Sequence, residues 1–178
     1  MRLSVIRPVI AVALATALTG CFNSVDPVSE MYGATMGSTY SIKWVPVDDA
    51  PDTEALQADI DGMLARFDAE VSTWRADSTL AQFNAAPAGT CMDMPESVLT
   101  MMEQSDRLSA ESDGAFDVTV APLLKLWGFH GDPQLQTVPD QELLEQAMAQ
   151  VGQQHLHIDD GQLCKDVPLT VDFSSIGA

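Results

Sequence analysis

Apolar residues recur every three or four positions between residues 52 and 74, and this spacing predicts a long amphipathic helix. The apolar positions of the segment are Leu56, Ile60, Leu64, Phe67, Val71 and Trp74. Pro51 stands where the first turn of a helix tolerates a residue without an amide proton. We therefore expect one face of this helix to pack against the core.

Two further segments have helical spacing. The second helix is predicted to follow Pro95 and to end at Gly114. Its stripe consists of Val98, Met102, Ser105 and Leu108. The third helix is predicted to run from about Pro139 to Gly152. Its apolar positions are Leu143, Leu144, Ala147, Met148 and Val151.

Alternation of apolar and polar residues predicts short strands between and after these helices. The predicted strands are 38–45, 116–122, a hairpin over 155–164 and a last strand over 169–173. Asp160 and Gly161 form the turn of the hairpin, and Asp172 lies on the face opposite to its apolar neighbours. The irregular order of strands and helices favours an α+β fold, with a mixed sheet packed against helices.

The N-terminus has the pattern of a bacterial lipoprotein signal. Arg2 and Arg7 precede a short apolar run that ends in "LTGC", residues 18–21. The run is too short to span a membrane. We therefore expect removal of residues 1–20 and lipidation of Cys21. A tether over 21–34 and a folded domain over 35–178 would follow, held by lipid to a membrane of the cell envelope and facing the periplasm.

The charge of the chain restricts its partners. The full sequence carries a net charge of −18, and removal of residues 1–20 leaves 6 Lys+Arg against 26 Asp+Glu, a net charge of −20. Such a chain repels phosphate backbones, which excludes nucleic acid as a partner. An anionic ligand would need a local cation. Cys91 and Cys164 remain after lipidation, and the sequence leaves both a disulfide and two separate thiols open.

Two acids and two histidines are candidates for chemistry. Asp117 lies in an apolar segment and, from the residues alone, is expected to cap a turn or to lie on a solvated face. Asp172 is followed by two serines, and these oxygens are the ligand type that Mg²⁺ prefers. His155 and His157 are typical of a surface strand, with metal binding as the alternative. Common nucleotide-binding and hydrolase motifs do not occur.

Four segments together resemble a known family. They are "TMGSTYSI" (35–42), "STWRADSTLAQFN" (72–84), "DGAFDVTVAPLLKLWGF" (113–129) and "VDFSSIGA" (171–178). In this order behind a lipoprotein signal, they resemble the ApbE family of FAD:protein FMN transferases. The resemblance implies an ApbE-like, T-fold-like domain. Relatives continue beyond "SSIGA" with a second half that completes the flavin and metal site, so we expect this chain to be the N-terminal part and to be inactive alone.

The resemblance also implies roles for individual residues. Positions that contact FAD in the family correspond to Met36, Trp74, Ala115, Phe116, Asp117, Asp172 and Ala178. Ser175 corresponds to a hydroxyl residue that helps to bind Mg²⁺, whereas catalytic residues are expected beyond this segment. With these roles, Asp117 and Asp172 would converge on one dinucleotide, which replaces the turn-capping interpretation of Asp117.

The implied reaction is a Mg²⁺-dependent transfer of FMN from FAD to a Thr or Ser hydroxyl of an acceptor protein. A phosphoester forms and AMP is released. The implied acceptors are subunits of envelope redox complexes, such as the sodium-pumping quinone reductase. Two alternatives remain open: an envelope lipoprotein that binds flavin without transferring it, and a purely structural lipoprotein.

Overall fold

The structure is a computed structural model that describes residues 28–48, 50–129 and 138–176. The strands are β1 (Ser29–Thr35), β2 (Ser38–Trp44), β3 (Thr90–Asp93), β4 (Leu156–Asp159) and β5 (Gln162–Lys165). The helices are α1 (Thr53–Val71), α2 (Thr79–Ala85), α3 (Glu96–Glu111), α4 (Ala121–Leu126) and α5 (Gln141–Met148). A single 3₁₀ turn, Gln153–His155, precedes β4.

The first two strands form an antiparallel hairpin in which Thr35 pairs with Ser38. The prediction of β2 is confirmed. The tether predicted over 21–34 is wrong for residues 29–34, which belong to β1. Glycine and polar residues obscure the alternation of β1, although Met31 is buried. The signal peptide over 1–20 and Cys21 lie outside the described residues.

The hairpin is attached to α1 by two hydrogen bonds. The Tyr40 hydroxyl donates to Asp61 at 2.6 Å, and the Gln57 amide donates to the carbonyl of Tyr32 at 3.0 Å. Helix α1 begins as predicted, because the Asp52 carboxylate accepts a hydrogen bond from the Glu54 amide at 3.2 Å. It ends at Val71, which leaves Trp74 outside the helix, whereas the apolar spacing extended the prediction to that residue.

The second and third predicted helices are confirmed with changed ends. Helix α3 follows Pro95 and stops three residues before Gly114, which has a positive φ of 79°. The third is α5, which is shorter than the predicted segment and is followed by the 3₁₀ turn. Helix α2 and strand β3 were not predicted. Ser78 begins α2 by accepting a hydrogen bond from the Ala81 amide at 3.0 Å.

A three-stranded antiparallel sheet, in the order β3-β5-β4, covers the other end of the described chain. The predicted hairpin turn is confirmed, since Asp160 and Gly161 both have positive φ. Cys91 and Cys164 face each other across β3 and β5 and form a disulfide, so the open question of their pairing is settled. His157 is exposed on β4, and His155 precedes the strand in the 3₁₀ turn.

Two predicted strands do not form. Residues 115–120 make a turn that leads into α4 rather than a strand. Residues 169–173 keep the predicted alternation, with Leu169, Val171 and Phe173 buried. This segment lacks a strand partner, because its backbone bonds go to the Val118 carbonyl and to a side chain of α2.

The core lies where α2, α3 and the three-stranded sheet meet the segment 169–173. Its most buried apolar members are Leu80, Phe83, Val98, Met102, Val118, Leu163 and Val171. The predicted α+β class is confirmed, with two small antiparallel sheets in the described chain. No helix within the described ranges is long and apolar enough to cross a membrane.

Candidate functional site

A cleft of about 910 Å³ opens between the β1–β2 turn, the end of α1 and the extended segment 172–174. The turn contributes residues 35–39 to its wall, and the loop after α1 contributes residues 72–75. Asp68, Val71 and Met101 line the rest. The volume lies within the range of about 300–1,000 Å³ that is typical of small-molecule and cofactor sites.

Trp74 is the most exposed large apolar side chain in the described chain, with 87% of its surface accessible. It stands in the loop where α1 ends, and its backbone amide donates to the Ser72 hydroxyl at 3.3 Å. A local turn therefore holds the indole at the cleft instead of in the core. A tryptophan left exposed at a cleft offers a flat surface on which an aromatic ligand can stack.

Met36 lies across the cleft, at the tip of the β1–β2 hairpin, with 43% of its surface accessible. Its φ is 48° and that of Gly37 is 71°. A two-residue turn with both φ values positive favours Asn-Gly or Asp-Gly, and methionine is costly in the left-handed region. A side chain that retains an unfavourable backbone conformation beside a cleft is a candidate for function.

Arg75 is the positively charged side chain that lines this cleft. It donates to the Asp77 carboxylate at 2.9 and 3.1 Å and to Asp68 at 3.3 Å. These hydrogen bonds, from Asp77 first and then Asp68, raise the pKa of Arg75 above its already high ordinary value. The hydrogen bonds and charge of Arg75 lower the pKa of Asp77 in turn. The guanidinium is thus held charged at the rim.

Asp172 reaches the cleft from an extended segment that is fixed on both sides. Its backbone amide donates to the Val118 carbonyl at 2.8 Å. The preceding residue, Val171, exchanges two hydrogen bonds with the side chain of Asn84, at 2.8 and 2.9 Å. One carboxylate oxygen of Asp172 accepts from the Ser174 amide at 2.9 Å, as in an Asx turn. The prediction that Asp172 faces away from its buried neighbours is confirmed.

Asp117 does not line this cleft. Its carboxylate accepts hydrogen bonds from the Thr119 amide at 2.7 Å and from the Gln153 amide at 3.1 Å. It therefore caps two local turns, which is the interpretation that the residues alone favoured. The backbones around Asp117 and Asp172 are adjacent, since the Asp172 amide donates to the Val118 carbonyl, and the convergence of their carboxylates on one ligand stays a prediction. Phe116 packs against the core and Ala115 is exposed, so FAD contacts by these three residues stay predictions.

The described residues do not by themselves make a magnesium site. Ser175 is exposed in the turn that follows Asp172. No group of three or more His, Cys, Asp or Glu side chains in the described parts of the chain is arranged to hold a metal ion. A single hydroxyl beside one carboxylate is too few ligands for Mg²⁺. Ala178 lies outside the described residues.

Sequence reasoning missed Arg75 and Asn84 as contributors to the site. Both fall within the quoted segment "STWRADSTLAQFN", but neither has a local signal of its own. Asn84 contacts Val171 across 87 residues of sequence, so its role could not be predicted from spacing.

A second cavity of about 540 Å³ is lined by Asp106, Asp113 and Gln153. None of its lining residues is positively charged, whereas Arg75 lines the cleft.

The fold and the cleft define an α+β protein with an open cleft that exposes a tryptophan. The chain belongs to the ApbE family, whose model matches residues 36–178.

Curated relatives support this assignment. The chain is 37% identical over 168 residues to an FAD:protein FMN transferase of Vibrio cholerae, which covers 94% of this chain and 50% of that protein. It is 33% identical over 189 residues to the FAD:protein FMN transferase of Escherichia coli K12, covering 99% of this chain and 53% of that protein. The chain thus spans about half the length of the curated relatives it matches.

Solved structures show the same fold. The apo form of the Pseudomonas stutzeri flavinyl transferase ApbE superimposes with a TM-score of 0.79 at 46% identity, covering 86% of this chain and 48% of that one. The flavin transferase ApbE from Vibrio cholerae superimposes with a TM-score of 0.78 at 37% identity, covering 84% of this chain and 49% of that one.

Proposed function

We propose that this chain supplies the FAD-binding cleft of an FAD:protein FMN transferase. The observation that carries the proposal is the cleft itself, which Trp74, Met36 and Asp172 all line. The relatives named as FAD:protein FMN transferases support the same activity.

The residues of the cleft fit the parts of a dinucleotide. Trp74 would stack on an aromatic ring system, and Met36 would cover it with a polarisable side chain. Arg75 would place positive charge near the pyrophosphate in a chain whose net charge is −18. Asp172, with one oxygen committed to Ser174, would accept a hydrogen bond from a ligand N–H or O–H group.

The resemblance extends the proposal to the reaction. The oxygen of an acceptor Thr or Ser hydroxyl would bond to the FMN phosphorus while the bridging bond to the second phosphate breaks. FMN would then be held by a phosphoester, the hydroxyl would lose its proton, and AMP would leave. Magnesium, when bound, would neutralise the phosphates during such a transfer. Ser175 is the one ligand that this chain is proposed to supply, and the Mg²⁺ requirement rests on the resemblance alone.

The sequence further supports a place in the cell envelope. We infer a lipid anchor at Cys21 from the pattern of residues 1–21. The inferred orientation is towards the periplasm, where a disulfide such as Cys91–Cys164 persists. The proposed acceptor is a flavoprotein subunit of an envelope redox complex, as the family resemblance implies.

A second function in the same cleft is flavin binding without transfer. It needs only the cleft that the described residues form, and not the metal ligands that the resemblance places in the second half of the relatives. The two functions can be distinguished by an assay on a protein that contains this segment and has the relatives' full length. Incubation with FAD, Mg²⁺ and an acceptor domain should give an acceptor that fluoresces in a denaturing gel. Tight FAD binding with an unlabelled acceptor would instead support the binding function.

The cleft assignment is tested by calorimetric titration with FAD of a protein that contains this segment and has the relatives' full length. Trp74→Ala should weaken FAD binding by about tenfold or more, because it removes the stacking surface. Trp127→Ala is the matched control, since Trp127 is also partly exposed but does not line the cleft. Equal affinities of the Trp74→Ala chain and the unaltered chain would overturn the assignment.

A further inference from the structure

Lys165 is a fully buried cation at the end of β5. Its ammonium group donates to the carbonyls of Phe83 at 2.8 Å, Asn84 at 3.1 Å and Leu169 at 3.4 Å. A lysine has three N–H donors, so each one has a partner. The ammonium also lies 4.9 Å from the centre of the Phe83 ring, within reach of a cation–π interaction.

This arrangement is unusual for a lysine. Ion pairs in the described chain involve Lys43, Arg75 and Arg107 but not Lys165. Burial without a counter-ion disfavours the charged form, and it lowers the pKa of Lys165. An apolar side chain of the same length would fill this space at less cost. Hydrogen bonds to three carbonyls offset the cost of burying the ammonium group. The residues that carry these carbonyls show which segments the lysine connects.

The three carbonyls join two segments that are distant in sequence. Those of Phe83 and Asn84 belong to the last turn of α2, where the Phe83 carbonyl also accepts a hydrogen bond from the Ala86 amide at 3.1 Å. The third carbonyl belongs to Leu169, the first residue of the segment 169–173 that carries Asp172. Lys165 therefore ties the end of α2 to the start of the segment 169–173, and it does so from the interior.

Asn84 makes the second tie between the same two segments. Its side-chain amide donates to the Val171 carbonyl at 2.9 Å, and its oxygen accepts from the Val171 amide at 2.8 Å. The amide side chain thus takes the place of a neighbouring strand for the residue that precedes Asp172. Together, the two ties fix the segment on both sides of Thr170, directly before it reaches the cleft.

We propose that Lys165 and Asn84 are positioning residues for the ligand cleft, which hold the segment 169–173 so that Asp172 meets bound FAD. The inference rests on the proposed function, but neither residue touches the cleft. Their effect on FAD passes through the placement of Asp172. A core residue without this role would change stability and leave the contribution of Asp172 to binding unaltered.

The test is a pair of double-mutant cycles in a protein that contains this segment and has the relatives' full length. FAD affinity is measured by calorimetry. Lys165→Met and Asn84→Ala should each weaken FAD binding by about tenfold, as loss of a supporting contact typically does. In the Asp172→Asn background, the same two substitutions should weaken binding by less than about twofold, because the contact they support is already lost. The matched controls are Lys125→Met and Gln146→Ala, at exposed positions of α4 and α5.

Hydrogen exchange supplies a readout that does not depend on FAD. In Lys165→Met and in Asn84→Ala, the amides of Val171 and Asp172 should exchange faster relative to amides in the middle of α3. Asn84→Ala is the milder change, because Asn84 is only partly buried, and it keeps the test valid where Lys165→Met does not fold.

The outcomes separate the two proposals. Equal losses of affinity in the two backgrounds, or unchanged relative exchange of the two amides, would overturn the positioning role. An Asp172→Asn chain that binds FAD as tightly as the unaltered chain, while Trp74→Ala weakens binding, would overturn the role of Asp172 and the positioning role with it. Failure of the unaltered protein of the relatives' full length to bind FAD would overturn the proposed function together with this inference.

Discussion

Met36 lines the cleft in a backbone conformation that costs stability. Its turn has nearly the same geometry as the Asp160-Gly161 turn, whose first φ is 45° and second is 80°. The Asp160-Gly161 turn has the residues that this geometry prefers, whereas the β1–β2 turn has Met36 at the corresponding position. Of these two turns, the one that borders the cleft has the residue that this geometry disfavours.

Met36→Asn should separate these two effects. Asparagine accepts the left-handed conformation more readily, so the free energy of unfolding should rise by about 0.5–1 kcal/mol. FAD affinity should fall, because the side chain over the ligand is lost. Denaturant unfolding and calorimetric titration measure the two quantities. Asp160→Asn, in the matching turn away from the cleft, should change neither, and a Met36→Asn chain that keeps full affinity would contradict the assigned role.

Arg75 makes the cleft rim sensitive to acid. Because Arg75 lowers the pKa of Asp77, this pairing stabilises the fold above the ordinary aspartate pKa of about 4 and is lost as pH falls through the lowered value. NMR titration of the Asp77 carboxyl group should show a higher midpoint in Arg75→Gln than in the unaltered chain. Identical midpoints would show that the pairing does not form in solution. Both partners are partly exposed, so the effect on stability should be small and should shrink with salt.

At the scale of elements, the disulfide joins an outer strand of the three-stranded sheet to its central strand. It connects β3 to β5 and closes a loop with a sequence separation of 73. Cys164 immediately precedes Lys165, so the covalent link lies next to the buried lysine that holds α2 and Leu169.

Reduction of this disulfide should lower the free energy of unfolding by about 2–4 kcal/mol, because the unfolded chain regains the freedom of the opened loop. Denaturant unfolding with and without a reductant measures the change. A chain with both Cys91→Ser and Cys164→Ser should show the lowered stability and no response to the reductant. Equal stability of the oxidised and reduced chains would contradict a structural role for the link.

Sequence patterns predicted the elements that have strong local signals. Apolar spacing located α1, α3 and α5, and Asp160-Gly161 located the hairpin β4–β5. The patterns failed where non-local contacts decide the structure. The segment 169–173 has the alternation of a strand but is held by Asn84 and Val118. Residues 116–122 resemble a strand, yet the Asp117 carboxylate bends them into a turn.

The site was predictable only in part for the same reason. Trp74, Met36 and Asp172 were named from the family motifs, and the structure brings all three to one cleft. The family motifs also named Asp117, but its carboxylate is occupied by backbone amides in the described structure. Lys165 was not predicted, because a lysine in a short strand is normally exposed, and only its burial and its carbonyl partners, two of them distant in sequence, show otherwise.

At the scale of the whole molecule, an acidic protein presents one aromatic cleft with an arginine at its rim. The net charge of −18 disfavours anions over most of the surface. A phosphate-containing ligand would therefore depend on the local arrangement at Trp74, Arg75 and Asp172. The positions of these three side chains, and not the charge of the molecule, make FAD the proposed ligand.

A crystal structure of the chain with FAD tests this claim most directly. We expect the flavin rings to lie against Trp74, between the turn 35–39 and the segment 172–174. FAD bound at the cavity beside Asp106 and Gln153, or against Trp127 with the cleft vacant, would contradict it.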